Sequence, residues 1–308
     1  MRIIYPRACF PTAKIAQRQP GDGASSPLSF VSLVPSLAMR ATVATALVFV
    51  SSVLAVTKPI HSHNDYTRAV PFWTAFNLSV MSVEADVWWQ SSQLFVAHTS
   101  GDINRSKTLQ SLYLDPIMGI LNGSRAVPTP ISVSNPIQLL IDMKTSGSST
   151  FPPVAAALAP LRAAGHLTTY DAATGTLRPG AVTVVGTGNT PLASVLAQNP
   201  PRAPAAGQTW GPHIAPLASV DFGSVASSAQ MQELVLNAHD LGIKSRFWNT
   251  PAAVGTWNAF WAAGSDWVNA DDLLAVSNAW AAFSGALVPT RFEYTGLDAQ
   301  KALERREL

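Results

Sequence analysis

Short apolar runs alternate with helical stretches along most of this 308-residue chain. Such alternation is typical of parallel βαβ units, because two parallel strands must be joined by a crossover, usually a helix. We predict strands at 58–63, 82–89, 94–98, 137–144, 181–186, 213–220, 244–248 and 267–270. We predict helices at 70–77, 111–121, 153–164, 191–197, 227–241 and 256–263. The residues from 56 onward, about 250 of them, match the length of a (β/α)8 barrel.

Two connections have clear local signals. Residues 90–93 predict a tight turn that pairs the strands at 82–89 and 94–98 as a hairpin. The proline-rich residues 200–208 predict a loop. We therefore predict one TIM-barrel domain over 56–289 and a polar C-terminal tail over 290–308.

The N-terminal region has the layout of a secretory signal. Met39-Arg40 precede an apolar run over 41–56, which contains the small-residue cleavage pattern Val53-Leu54-Ala55. The run is shorter than the roughly 20 apolar residues of a transmembrane helix. We predict a signal peptide at 39–55, a dubious or disordered leader at 1–38 and secretion of a protein that begins near residue 56. The alternative is a membrane anchor through 41–56.

The composition of the chain limits the classes of partner that it could bind. Net charge is +2 and charged residues are only 12% of the chain, so no surface for a polyanion is indicated. We predict no nucleic-acid partner and infer no protein partner. The single cysteine, Cys9, lies in the leader, so the predicted mature domain has no disulfide. Asn77, Asn104 and Asn122 begin Asn-x-Ser triplets, which predict glycosylation in a secreted chain.

Acidic side chains lie two residues apart on a predicted buried strand. Glu84 and Asp86 share one face of that strand, because side chains alternate along a strand. Asp142 and Lys144 share a face of another strand. Like charges at this spacing repel unless a cation lies between them, and three oxygen ligands suit Mg²⁺, with Ca²⁺ as the alternative. Separate ion pairs with Lys144 are the competing interpretation.

Histidines at predicted strand ends supply proton-transfer groups. His63 ends the first strand and His98 ends the strand after the hairpin. Phosphodiester cleavage needs a base for the attacking hydroxyl and an acid for the leaving oxygen, and imidazole serves as either. We predict that His63 and His98 form this pair. His61 lies one layer deeper on the same face and is predicted to support them.

Five further residues are predicted to contact substrate. Lys144 supplies a point charge for a phosphate oxygen, and Trp248 supplies an aromatic face for a head group. Trp248 is at least as plausible as a core residue, and Arg68 as a solvated loop residue. The predicted substrate contacts are Lys144, Asn64, Arg68, Trp248 and Asn269.

These motifs resemble the PLC-like phosphodiesterase superfamily, which includes glycerophosphodiester phosphodiesterases and sphingomyelinase D enzymes. The fungal altered inheritance of mitochondria protein 6 group is the most similar. The resemblance rests on the strings HSHNDY, SVEADVW, TLQSLYLDP, LLIDMKT, VTVVGTGNTP, RFWNTP and NADDL between residues 61 and 274.

The resemblance implies a TIM barrel of the PLC-like type that uses Mg²⁺ and two histidines. Glu84, Asp86 and Asp142 match the metal ligands, and His63 and His98 match the acid–base pair. Lys144 matches the lysine beside the third acid. The doubled histidine of the first motif leaves His61 as the alternative to His63.

We therefore predict a metal-dependent phosphoric diester hydrolase that acts on a glycerophosphodiester or a phospholipid-like substrate, in the second case with transient contact with a membrane surface. A rival from another class is a catalytically silent barrel that binds a sugar phosphate or a cell-wall component. A glycosidase that uses Glu84 and Asp86 is disfavoured, because glycosidase carboxyls flank the scissile bond from two sides.

Overall fold

The computed structural model describes residues 2–5, 57–198 and 210–285. Eight parallel strands close into a ring, which confirms the predicted (β/α)8 barrel. In chain order they are β1 Arg2–Tyr5, β2 Ile60–Ser62, β3 Ser82–Gln90, β5 Ile137–Met143, β8 Val182–Gly188, β9 Leu217–Asp221, β10 Lys244–Trp248 and β11 Trp267–Ala270. The order around the ring is β2, β11, β10, β9, β1, β8, β5 and β3, and the pairing of β3 with β2 closes it.

Helices follow the strands and cover the ring. They are α1 Trp73–Asn77 after β2, α2 Asp115–Leu121 after the hairpin, α3 Gly147–Ala157 and α4 Ala159–Ala163 after β5, α5 Leu192–Ala197 after β8, α6 Ser228–Asp240 after β9, α7 Val254–Ala262 after β10 and α8 Leu273–Ser284 after β11. Strands β3 and β5 are buried along most of their length. Parallel strands covered on both faces are buried in this way, and the buried residues of β3 include Glu84 and Asp86.

The predicted hairpin is present. Strand β4, Gln93–Val96, runs antiparallel to the second half of β3. Ser91 and Ser92 have φ values of 50° and 59°, which are the positive angles of a tight hairpin turn. Because β4 ends at Val96, His98 lies in the loop beyond the strand rather than at its end.

Several boundaries differ from the predicted ones. Helix α3 begins at Gly147, ahead of Pro152 and Pro153, which lie inside it. The Thr150 hydroxyl donates to the Ser146 carbonyl at 2.7 Å and helps to order this earlier first turn. A short hairpin of β6, Thr169–Asp171, and β7, Thr176–Arg178, was not predicted, because its strands are too short and exposed for an apolar pattern.

Strand β1 was also not predicted, since residues 2–5 fall in the proposed leader. Their backbone pairs with β8 on one side and β9 on the other. Removal of residues 1–38 stays a prediction. The signal at 39–55, the loop at 200–208 and the tail at 290–308 lie outside the described residues.

Within residues 57–198 and 210–285, none of the helices combines the length and apolarity needed to cross a bilayer.

Candidate active site

A cavity of about 810 Å³ opens at the carboxyl ends of the strands, where the active sites of such barrels lie. Eight of the eleven residues predicted for the site line this cavity. They are His63, Asn64, Glu84, Asp86, His98, Asp142, Lys144 and Trp248. Residues from opposite sides of the ring therefore meet here, as the strand-end positions predicted.

The three predicted metal ligands lie together. Asp86 and Asp142 are direct neighbours in the pairing of β3 with β5. One carboxylate oxygen from each of Glu84, Asp86 and Asp142 lies within 4.8 Å of the others. The Oδ1 atom of Asp86 is buried and has no hydrogen-bond partner among the described residues. A buried acceptor of this kind needs a partner, and an all-oxygen set fits a divalent cation such as Mg²⁺ or Ca²⁺.

Burial and mutual repulsion perturb two of these acids. Burial raises the pKa of Asp86 above its ordinary value, and the charge of Glu84 adds to this. Burial likewise raises the pKa of Asp142 to about 6. Lys144 opposes both effects, with its Nζ 2.9 Å from Asp86 Oδ2 and 3.3 Å from Asp142 Oδ1. The ion pair of Lys144 with Asp142, which was the competing interpretation of these acids, is therefore present within the acidic cluster.

In metal-free protein, Asp142 should make stability fall as pH rises from 3.8 to about 6. The folded state holds this proton more tightly than the unfolded chain, so its stabilising contribution is complete below pH 3.8 and is lost as pH passes about 6. Urea unfolding in EDTA between pH 3.5 and pH 7 measures this, as the difference between wild type and Asp142→Asn. Asp240→Asn, at an exposed position of α6, is the control. A difference that does not vary with pH would contradict the assignment.

Glu84 behaves in the opposite way. Burial disfavours its charge, yet the guanidinium of Arg246 and a hydrogen bond from His61 outweigh burial and lower its pKa. Arg246 Nη2 and His61 Nε2 each lie 3.2 Å from Glu84 Oε2. Glu84 is therefore ionised and held in place by Arg246 and His61 in the metal-free protein.

A chain of hydrogen bonds orients His61. The Gln138 amide donates to Ser82 Oγ at 2.8 Å, which leaves the Ser82 hydroxyl to donate to His61 Nδ1 at 2.8 Å. His61 then carries its proton on Nε2 and donates a hydrogen bond from this atom to Glu84 Oε2. Burial lowers the pKa of His61 to about 3, so the ring is neutral. His61 is fully buried and does not line the cavity, so its place suits the predicted supporting role.

His63 and His98 each use Nδ1 for an orienting contact. His63 Nδ1 lies 2.9 Å from Asp271 Oδ1. His98 Nδ1 lies 3.2 Å from the Tyr66 hydroxyl, which donates to Asp86 Oδ2 at 2.7 Å. Neither Nε2 has a hydrogen-bond partner among the described residues, and both histidines line the cavity. Each Nε2 is thus left to contact a molecule in the cavity.

Of three other predicted substrate contacts, one lines the cavity and two do not. Trp248 lines the cavity mouth and is 42% exposed, so it is not a core residue. Arg68 is elsewhere than predicted: its guanidinium donates to the backbone carbonyls of His63, Ala270 and Asp271. Asn269 is buried behind the cavity wall, where its Oδ1 accepts from Arg246 at 2.6 Å.

The residues of the site that sequence reasoning missed include Tyr66, Ser219, Asp221 and Arg246. Arg246 and Trp248 are two apart on β10, and Ser219 and Asp221 are two apart on β9. The same period-two rule that singled out Glu84 and Asp86 would have found both pairs.

Comparisons with known proteins show the family of the chain. The profile of the AIM6-like phosphodiesterase domain matches residues 49–204. A homologue of altered inheritance of mitochondria protein 6 from Arthroderma benhamiae is 31% identical over 262 residues, covering 70% of this chain and 82% of that protein.

Two yeast proteins named altered inheritance of mitochondria protein 6 are also similar. The one from Lachancea thermotolerans is 27% identical over 72% of this chain, and the one from Candida glabrata is 34% identical over 43%. This chain spans 66% and 39% of their respective lengths. Among solved structures, a glycerophosphodiester phosphodiesterase from Agrobacterium tumefaciens matches with a TM-score of 0.39 and 11% identity, over 70% of this chain and 92% of that one.

Proposed function

This chain belongs to the AIM6-like phosphodiesterase domain family, and from that premise we propose that it is a metal-dependent hydrolase of glycerophosphodiesters or phospholipid-like diesters. The observation that carries the proposal is the meeting of three carboxylates with two histidines around one cavity. Buried acids that converge beside groups able to transfer protons favour catalysis.

Glu84, Asp86 and Asp142 would hold a divalent cation. Asp86 Oδ1, which has no hydrogen-bond partner among the described residues, would be one of the ligand atoms. A bound cation of this kind supplies Lewis-acid stabilisation of charge on the non-bridging phosphate oxygens. Lys144 binds a phosphate oxygen once its ion pairs with Asp86 and Asp142 are broken. Tyr66 keeps Asp86 in place and stays protonated, because burial and the nearby charge of Asp86 raise its pKa.

His63 and His98 move the protons. One Nε2 takes a proton from the attacking hydroxyl, which belongs to water or to the substrate, and the new P–O bond forms. The other Nε2, protonated at the start, gives its proton to the leaving oxygen as the old P–O bond breaks. The proton count balances over the reaction when the two histidines exchange protons with solvent. Asp271 and Tyr66 orient the rings through Nδ1.

The silent-barrel alternative has one observation in its favour. Lys144 already contacts two of the three acids, at 2.9 Å and 3.3 Å, and this contact provides a cation without any metal. In that case the cavity would bind a sugar phosphate or a cell-wall component without turnover.

Removal of divalent cations should abolish hydrolysis of a chromogenic phosphodiester, and Mg²⁺ should restore it. Binding to the folded state alone also stabilises it, by about 2.7 kcal/mol at a cation concentration 100 times Kd. Activity and thermal unfolding in EDTA, Mg²⁺ and Ca²⁺ measure both effects. Asp142→Asn should lose most of the cation-dependent shift, whereas Asp240→Asn should keep it. Full activity in EDTA, or no shift and no turnover with any cation, would favour the silent barrel.

Secretion is part of the proposal and rests on the sequence over 39–55. N-terminal sequencing of the natural product would test it, with a start near residue 56 as the expected result.

A further inference from the structure

Two buried polar residues in the motifs that carry the family resemblance have no part in the proposed reaction. Asp65 belongs to the string HSHNDY and Tyr113 to the string TLQSLYLDP. Both are 0% exposed, and neither lines the cavity. A buried carboxyl group is costly unless it is hydrogen-bonded, so the contacts of Asp65 indicate its role.

Asp65 lies in the turn that follows strand β2, and this turn carries two residues of the site. His63 precedes Asp65 by two positions and lines the cavity. Tyr66 follows Asp65 directly and donates to Asp86 Oδ2 at 2.7 Å. The Asp65 carboxylate is buried instead, and its Oδ1 accepts from the Ser62 hydroxyl. Asp65 therefore anchors the turn from inside the protein.

The other oxygen of this carboxylate holds a strained part of the chain. The Phe72 N–H donates to Asp65 Oδ2 at 2.6 Å. Phe72 has φ 63° and ψ −57°, and the Trp73 N–H donates across it to the Pro71 carbonyl at 2.7 Å. This is the rare, strained form of the γ-turn, which persists only where surrounding contacts fix it. One carboxylate thus fixes both ends of the segment 62–72.

Tyr113 joins this segment to the strand that carries two of the proposed metal ligands. It lies in a π-helical turn, Gln110–Leu114, a rare geometry that is frequent at functional sites. Its hydroxyl lies 3.1 Å from Asp65 Oδ2 and 3.2 Å from the backbone carbonyl of Glu84 on β3. Burial and the charge of Asp65 raise the pKa of Tyr113, so the hydroxyl remains a donor. The contact of Tyr113 with Asp65 therefore fixes the histidine turn relative to β3.

We propose that Asp65 and Tyr113 are positioning residues that hold His63 and Tyr66 at the acidic cluster. This inference rests on the proposed function, because it assigns the contacts that place a proton-transfer group beside the cation site. Displacement of a reacting group by about 1 Å can lower a rate on the order of 10²-fold. Loss of these contacts should therefore lower kcat as well as stability.

Tyr113→Phe removes a single hydroxyl and is the least disruptive test. We expect kcat for a chromogenic phosphodiester at saturating Mg²⁺ to fall about tenfold, with KM changed by less than about twofold. The cation-dependent thermal shift should be retained, because the three carboxylates stay on β3 and β5. Kinetics are measured well below the unfolding midpoint of each variant.

Replacements of Asp65 separate its contacts from its charge. Asp65→Ala removes the contacts with Ser62, Phe72 and Tyr113, so kcat should fall on the order of 10²-fold. Asp65→Asn keeps the shape: its amide oxygen can accept from Phe72 and Tyr113, and its NH₂ group can donate to the Ser62 hydroxyl. This variant should keep kcat within about threefold of wild type. An Asp65→Asn variant as slow as Asp65→Ala would overturn the proposal.

Ser245→Ala is the matched control for Tyr113→Phe. It also removes a buried hydroxyl that contacts a carboxylate, Asp266 Oδ2 at 3.0 Å, but it lies near the amino end of β10. It should lose stability and keep wild-type kcat. Wild-type kcat in Tyr113→Phe, or an equal loss of kcat in Ser245→Ala, would count against a positioning role and in favour of stability alone.

If the wild type cleaves no diester with any cation, the proposed function fails, and NMR then tests the positioning by itself. The ring signals of His63, assigned by their absence from His63→Ala, should shift in Tyr113→Phe and stay in place in Ser245→Ala. Unshifted His63 signals in Tyr113→Phe would reject the inference.

Discussion

Replacing His98 by alanine should lower kcat for a phosphodiester by a factor on the order of 10² or more, the usual contribution of a positioned acid or base. His63→Ala should have an effect of the same order. Each change removes a ring whose Nε2 is left without a partner, while the acidic cluster stays in place. Steady-state kinetics at saturating Mg²⁺ measures the loss, and excess Mg²⁺ should not repair it.

His61 offers a contrast on the same strand. Its contacts are with Ser82 and Glu84 rather than with the cavity, so His61→Ala should weaken cation binding, and excess Mg²⁺ should restore part of the activity. His166→Ala, away from the cavity, serves as the control. Wild-type turnover by His98→Ala, or rescue of His98→Ala but not of His61→Ala, would reverse the assigned roles.

Replacing Arg246 by methionine should destabilise the metal-free protein by about 3–5 kcal/mol, the cost of leaving a buried charge without its partner. Glu84 is 5% exposed, and the guanidinium of Arg246 is the main influence that keeps it ionised. Urea unfolding in EDTA measures the change as a shift in midpoint at constant slope.

Two controls isolate the charge pair. Adding Glu84→Gln to Arg246→Met removes the stranded charge and should recover much of the loss. Arg162→Met, on the exposed surface, should change stability by no more than about 0.5 kcal/mol. A double variant no more stable than Arg246→Met would show that packing, and not charge, explains the effect.

The acids of the site could be predicted because a strand fixes the direction of each side chain locally. Glu84 and Asp86 lie two apart on β3, and Asp142 is at the end of β5. Period two and the shared carboxyl end of parallel strands suffice to bring these groups together. The eight strands predicted from short apolar runs are also all present.

The partners of those acids depended on contacts that no local pattern encodes. Arg246 reaches Glu84 across 162 positions of sequence, and His63 reaches Asp271 across 208. These residues become neighbours only when β2 pairs with β11 and with β3 and so closes the ring.

Strand β1 closes the barrel with a segment that lies far in sequence from the two strands on either side of it. Residues 2–5 pair with Val185 and Gly186 on one side and with Leu217 and Ala218 on the other. Without them, β8 and β9 would face each other across a gap of about two strand spacings, close to 10 Å, each with a bare row of backbone donors and acceptors. Those two strands carry Thr187 and Asp221, on adjoining sides of the cavity. The cleavage near residue 56 that the proposed secretion requires would remove this strand, so the processed molecule would need another strand between β8 and β9 to close the ring around the cavity.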